Sequence, residues 1–207
     1  DGLRPPPFLT LRTVAALMLR EMGSTYGQSP GGYFWAIAQP IGAILVLSLA
    51  FSLLFRSPSL GTSFILFYST GYLPFDMYNQ MLTKITSALK YSRAMLAYPR
   101  VTWLDVFIAR FVLNTITLLT VFCVVIIGIL TLANTHTIIT ITPILLGLSM
   151  AALLGLGVGL MNCLLGGLFP VWTILWRIAM RPMFMASGVL FIFEDMPRFV
   201  QQVLWWN

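Results

Sequence analysis

The sequence predicts an all-α integral membrane protein, and three observations carry that expectation. Of 207 residues, 58% are hydrophobic and only 9% are charged, against about 25% charged residues in a water-soluble domain. Charge this sparse cannot cover a surface facing water, so hydrocarbon is the solvent for most of the chain. Second, the runs 33–55, 63–84, 104–132, 141–169 and 171–193 are each apolar over a spanning length, since ~30 Å of hydrocarbon takes about 20 helical residues. Third, the basic residues gather in alternate connections between those runs.

Taken in order, the first element is an amphipathic helix. Phe8, Leu11, Ala15, Met18 and Met22 recur at three- and four-residue steps, while Arg12, Thr13 and Arg20 lie elsewhere on the wheel. Such a helix suits the headgroup plane. The breaker-rich stretch TYGQSPGG, residues 25–32, then turns the chain into the membrane. Residues 1–32 thus form a lead-in, 33–193 hold the five spans, and 194–207 close a single transmembrane domain, 1–207. No signal peptide is expected: the first long run begins near Tyr33 and is too long for a leader's apolar core. The chain opens on Asp1 rather than Met, so residues are expected to precede it.

Orientation follows from charge. With the N-terminus in the cytoplasm, Arg4, Arg12 and Arg20 fall inside. So do Lys84, Lys90, Arg93, Arg100 and Arg110 around the second connection, and Arg177 and Arg181 at the base of the fifth span. Only Arg56 and Arg198 fall outside, which the positive-inside rule favours. The same rule accounts for the excess of basic over acidic residues without a nucleic-acid partner. The segment 194–207 then lies outside, where Asp195 and Pro197 can start a short helix ending in Trp205 and Trp206. A tryptophan pair favours the interface, so an interfacial or re-entrant helix is expected there.

Residues capable of chemistry are few. Cys123 and Cys163 sit in apolar runs without metal-ligand spacing and are expected to be reduced. His136 is the sole histidine, in the polar stretch ANTHT. Of the acids Asp1, Glu21, Asp76, Asp105, Glu194 and Asp195, only Asp76 lies well inside a run. No nucleophile–base pair, carboxylate pair or metal cluster can be assembled, so neither a catalytic residue nor a metal is expected in this chain. The glycines of Gly155-Leu-Gly-Val-Gly159 sit in an apolar run with no Lys-Ser/Thr after them, which excludes a phosphate loop. A proton- or ion-coupled carrier should show several mid-membrane ionisable groups and often an inverted repeat; neither is apparent. A noncatalytic membrane scaffold would also fit the composition.

Four groups of residues are candidates for function. Gly147, Ala151, Gly155 and Gly159 recur every fourth residue, a ridge suited to helix packing within the chain, to a dimer contact or to a pore lining. In the loop 88–105, Lys90, Tyr91, Arg93, Tyr98 and Arg100 mix charge with aromatic anchors. They make either an interfacial helix held by headgroups or a coupling helix that docks a cytoplasmic partner. Arg177 and Arg181, four apart, either snorkel to phosphates or read an anionic substrate. Tyr33, Trp35, Trp172, Trp176, Phe191 and Phe193 are belt or core residues, or line a channel whose flat apolar faces would suit sugars.

The stretch REMGSTYGQSPGGYFWAIAQP, residues 20–40, carries Arg20, Tyr26, Ser29, Gly32, Tyr33, Trp35 and Pro40 in order. It resembles the lead-in of type-2 ABC exporter permeases. The likeness continues through GYLPFDMYNQ (71–80), YPRVTWLDVFIAR (98–110) and GGLFPVWTILWRIAMRPMFMASGVLF (166–191). The last stretch is similar to the capsular-polysaccharide branch, the KpsM-type permeases, more than to O-antigen or teichoic-acid relatives. The resemblance implies a homodimer of six-span subunits in the bacterial inner membrane, with a sixth span following Asn207. It further implies two ABC ATPase subunits that bind ATP and Mg and dock near residues 90–100. The cargo would be a lipid-linked capsular or related polysaccharide, with periplasmic and outer-membrane export proteins as partners.

Overall fold

The computed structural model describes residues 9–26, 31–54, 63–98, 101–133, 140–189, 198 and 201–202. Its elements are α1 (Leu9–Tyr26), α2 (Gly32–Leu54), α3 (Phe64–Thr86), α4 (Ala88–Tyr91), α5 (Trp103–Ala133), α6 (Ile141–Leu168) and α7 (Pro170–Ala186). No strand occurs among the described residues.

Local chemistry sets several boundaries. Helix α5 starts on a reciprocal cap: Thr102 N–H and Oγ1–H donate to Asp105 Oδ2 at 3.0 and 2.8 Å, and Asp105 N–H donates back to Thr102 Oγ1 at 3.3 Å. Two groups that the helix start leaves unpaired are thereby satisfied. Between α6 and α7, Phe169 adopts an extended conformation and Pro170 opens the next helix. Proline biases its predecessor away from the helical region and loses nothing at a helix's first position. Pro40, Pro74 and Pro182 lie inside helices, as spanning helices tolerate when neighbours satisfy the freed backbone groups.

Helix α3 is the centre of the packing, touching α2, α4, α5 and α6. Met77, Met81 and Ile85 from α3 join Val106, Phe107 and Leu118 from α5 and Leu148 and Ala152 from α6 in one buried cluster. Ile44, Leu73, Val121 and Val125 form a second. Helix α6 runs parallel to α3, because Gly155 meets Tyr78 and Met81 while Gly159 meets Leu82 and Ile85. Helix α7 runs antiparallel to α3: the Phe75 and Phe184 rings lie 5.2 Å apart, and Gly71 faces Val189. The ends of α3 and α6, the start of α7 and the base of α5 therefore share one end of the bundle.

By length and composition, three helices among the described residues can cross a membrane: Phe34–Leu53, Trp103–Leu132 and Ile141–Leu168. The sequence suggests five. Helix α3 has the 23 residues of α2, but Asp76, Asn79, Gln80 and Lys84 dilute its apolar character. Helix α7 has 17 residues and carries Arg177 and Arg181; the continuation at 190–193 lies outside the described residues. So does nearly all of the segment 194–207, apart from helical positions 198, 201 and 202.

Three expectations change in detail. Loop 88–105 is not one helix: α4 is a single turn of four residues, turns follow to residue 97, and Asp105 already belongs to α5. In α6 the buried face is Leu148, Ala152, Gly155, Gly159 and Asn162, whereas Gly147 is exposed and Ala151 half-buried. A four-residue step overshoots the 3.6-residue turn by about 40°, so a strict every-fourth ridge drifts off the contact. In α1, the line of Val14, Leu17 and Glu21 turns inward, while Leu11, Ala15 and Met22 of the predicted apolar stripe are exposed.

Candidate functional site

The most densely bonded polar group lies where α1, the end of α3, α4 and the base of α5 meet. Arg110, 3% exposed, points its Nε at Glu21 Oε2 from 3.1 Å. Its Nη1 donates to Lys84 O at 2.7 Å and to Ser87 Oγ at 3.4 Å. The carbonyl of Lys84 belongs to the last turn of α3, where helix geometry leaves acceptors unpaired. The Tyr91 ring covers the guanidinium, with its centroid 4.5 Å from Cζ. The Tyr91 hydroxyl in turn donates to Ser24 Oγ on α1. A buried cation is stable only when its charge and its donors are matched, and here α1, the end of α3 and α4 supply the matches to a side chain of α5. Tyr91 of α4 thus touches both α1, at Ser24, and α5, at Arg110.

The outer side of the same region is basic and aromatic. Lys90 and Arg93 are exposed, Tyr91 is half-exposed despite its two contacts, and Tyr98 and Trp103 are largely exposed. Arg100 lies outside the described residues. Of the five residues suggested for docking, Tyr91 thus has an inward structural role, while Lys90, Arg93 and Tyr98 remain on the surface.

The residues suggested for a substrate route do not all converge. Trp172 and Trp176 stack on one face of α7, with centroids 6.0 Å apart and planes 27° apart. Trp172 Nε1 donates to Asn162 Oδ1 on α6 at 2.8 Å. Arg177 and Arg181 are both exposed, and Arg177 lines a cleft with this pair while Arg181 lies outside the lining. Trp35 stands exposed at the start of α2, edge-on to Phe34 at 5.7 Å. The Tyr33 side chain, Phe191 and Phe193 lie outside the described residues. Sequence reasoning missed Glu21, Arg110 and Asn162 as partners, though Asn162 interrupts an apolar run and was open to notice.

The arrangement offers a buried polar junction between helices and a mainly apolar cleft with a few polar groups, and comparison with known proteins says what kind of protein carries them. The profile of the family described as "ABC-2 type transporter" matches residues 12–207. The chain belongs to the ABC-2 type transporter family. Among relatives, it is similar to the polysialic acid transport protein KpsM of Escherichia coli, 26% identical over 94% of this chain and 76% of the relative. The capsule polysaccharide export inner-membrane protein CtrC of Neisseria meningitidis serogroup A is 25% identical, over 92% of this chain and 72% of its own. Protein BexB of Haemophilus influenzae, also named for capsule polysaccharide export, is 21% identical over 94% and 74%. ABC-2 membership together with the three helices of spanning length makes this a multi-pass membrane protein.

Proposed function

We propose that this chain is the permease subunit of an ATP-driven exporter moving a lipid-linked capsular or related surface polysaccharide across the bacterial inner membrane. The observation that carries the reading is the extended likeness to capsule-export proteins, which covers more than nine-tenths of the chain in each relative named above. The likeness extends over most of this chain and about three-quarters of each relative, so it is not confined to one short shared segment.

The permease works as a homodimer with two cytoplasmic ATPase subunits that bind ATP and Mg. The N-terminus is cytoplasmic, and α2, α3, α5, α6 and α7 all cross the bilayer. Periplasmic and outer-membrane proteins receive the glycan. Lys90, Arg93, Tyr98 and Arg100 form the docking surface, and closure of the ATPases presses on α4. The Tyr91–Arg110–Glu21 contacts pass that displacement to α1 and α5. Filled packing around Met77, Met81 and Ile85 argues against a channel inside one chain, so the glycan moves between two subunits. Apolar residues exposed along α6 and α7, such as Leu153, Leu154, Ile174 and Ile178, suit lipid and the second subunit.

The test is co-expression with a candidate ABC ATPase subunit from the same organism, purification of the complex and reconstitution into liposomes with lipid-linked glycan. Nucleotide-dependent glycan movement is expected, and Lys90→Glu/Arg93→Glu should lose ATPase capture at least tenfold. Transport by the permease alone, or full ATPase capture by the double variant, would falsify the reading at the energy source or the docking surface respectively.

A further inference from the structure

A cleft of about 410 Å³ opens between α3, α6 and α7 at the end of the bundle where α3 gives way to α4. Two buried N–H donors in its lining have no acceptor. Asn162, 2% exposed, uses its Oδ1 to accept from Trp172, while its Nδ2 has no acceptor. Trp176 Nε1 is likewise buried without an acceptor, although its ring is fixed by stacking on Trp172. Arg177 adds a guanidinium to the same lining. The hydroxyls of Thr83 and Ser87, also in the lining, already donate to main-chain carbonyls at 2.8 and 3.0 Å, so their protons are not offered to a ligand and the two N–H groups and Arg177 carry the recognition. Buried N–H groups are normally paired, and leaving one unpaired costs free energy. Two such groups beside a cation are complementary to a ligand that brings only acceptors and negative charge.

Where the cleft sits narrows the ligand further. Phe75 opposite Phe184 and Gly71 opposite Val189 set the antiparallel register, which puts Arg177 level with the last turns of α3. Val171, Ile174, Leu175 and Ile178, on the other faces of α7, are exposed and apolar. A ligand with its charged end in the cleft would have hydrocarbon surface directly alongside. We infer that the α3–α6–α7 cleft binds the phosphate ester of a lipid, held by Asn162 Nδ2, Trp176 Nε1 and the Arg177 guanidinium. Two sources share this chemistry: a bilayer phospholipid, or a phosphate joining the exported glycan to its lipid. The second rests on the export function proposed above; the first does not.

The experiment uses the purified permease–ATPase complex and a matched pair of probes, dioctanoyl phosphatidic acid and dioctanoyl glycerol, which differ by the phosphate alone. Phosphatidic acid should bind at least tenfold more tightly. Arg177→Gln should lose about tenfold, and Trp176→Phe, which keeps the stacked ring but removes the N–H, a few-fold. Asn162→Asp keeps the acceptor for Trp172 and replaces the free donor with a repelling oxygen; it should abolish the preference for the phosphate. Melting temperatures close to the parent's show that these variants fold, and Trp176→Phe serves if Asn162→Asp does not. Displacement of phosphatidic acid at least tenfold better by a glycan joined to lipid through phosphate than by the matching phospholipid assigns the site to cargo, whereas equal displacement assigns it to a bilayer lipid. Equal binding of both probes, or parent-like binding by folded Arg177→Gln and Trp176→Phe, overturns the proposal. A complex that binds phosphatidic acid in the cleft but exports no polysaccharide overturns the export function and leaves the site standing.

Discussion

Arg110 shows what one side chain does when four elements share it. Its pair with Glu21 is buried, at 3% and 10% side-chain exposure, so removing one partner leaves a charge that nothing compensates. That costs about 3–5 kcal/mol, whereas replacing both members with apolar residues of similar volume is often near neutral. Arg110→Met should therefore sharply lower the melting temperature of the detergent-solubilised protein. Glu21→Met/Arg110→Met should recover most of the loss, and a double variant as unstable as the single would show that the ion pair is not the source. Tyr91 is expected to act in two separable ways. Tyr91→Phe removes only the bond to Ser24, about 0.5–1.5 kcal/mol, and Tyr91→Ala removes as well the ring over the guanidinium, a further ~0.5–2 kcal/mol. Equal melting temperatures for the two variants would rule out the ring contact as a contributor. None of this was legible in advance, because Glu21 and Arg110 stand 89 positions apart and no spacing rule connects them. The available hint was that Glu21 is the only acidic residue between Asp1 and Asp76.

Individual helices were far more legible than their contacts. Helices α2, α3, α5 and α6 fall within a residue or two of the apolar runs, because apolar length and flanking breakers are local properties of the chain. Which face of a helix packs is not local. The small residues of α6 were visible, and the strict every-fourth step names Gly155 and Gly159, which meet α3, together with Gly147, which does not. A Cβ on Gly155 would fall 2.8 Å from Met81 Cβ and 2.9 Å from Tyr78 O, and one on Gly159 would fall 2.8 Å from Ile85 Cβ. The Tyr78 oxygen is backbone and cannot swing aside, so α3 and α6 must separate. Gly155→Ala should then cost about 1–3 kcal/mol, the usual toll of overpacking. At Gly147 an added Cβ meets nothing within 4 Å, and Gly147→Ala should be neutral or gain up to ~1 kcal/mol of helix propensity. Thermal denaturation of the two variants in the same detergent separates the cases, and equal losses at both positions would count against this α3–α6 contact.

Across the whole molecule, function depends on which end of the bundle faces the cytoplasm, and charge and geometry bear on that jointly. The relevant end holds the base of α5, α4, and the exposed Lys90 and Arg93. Helix α5, at 31 residues, is about 46 Å long, more than the ~30 Å of hydrocarbon, so its two ends should emerge on opposite sides. Ten of the twelve basic residues fall on one side when the N-terminus is cytoplasmic, and positive residues accumulate there. Cysteines introduced at Arg93 and at His136, one beyond each end of α5, report the outcome directly once Cys123 and Cys163 are replaced by alanine. In the Arg93→Cys protein a membrane-impermeant maleimide should react in inverted vesicles and not in intact cells, and His136→Cys should show the reverse. Labelling of Arg93→Cys from outside intact cells would put α4 on the wrong side to meet an ATPase. No rearrangement of individual contacts could then preserve the coupling through Tyr91 and Arg110, because the hydrolysing partner would never reach it.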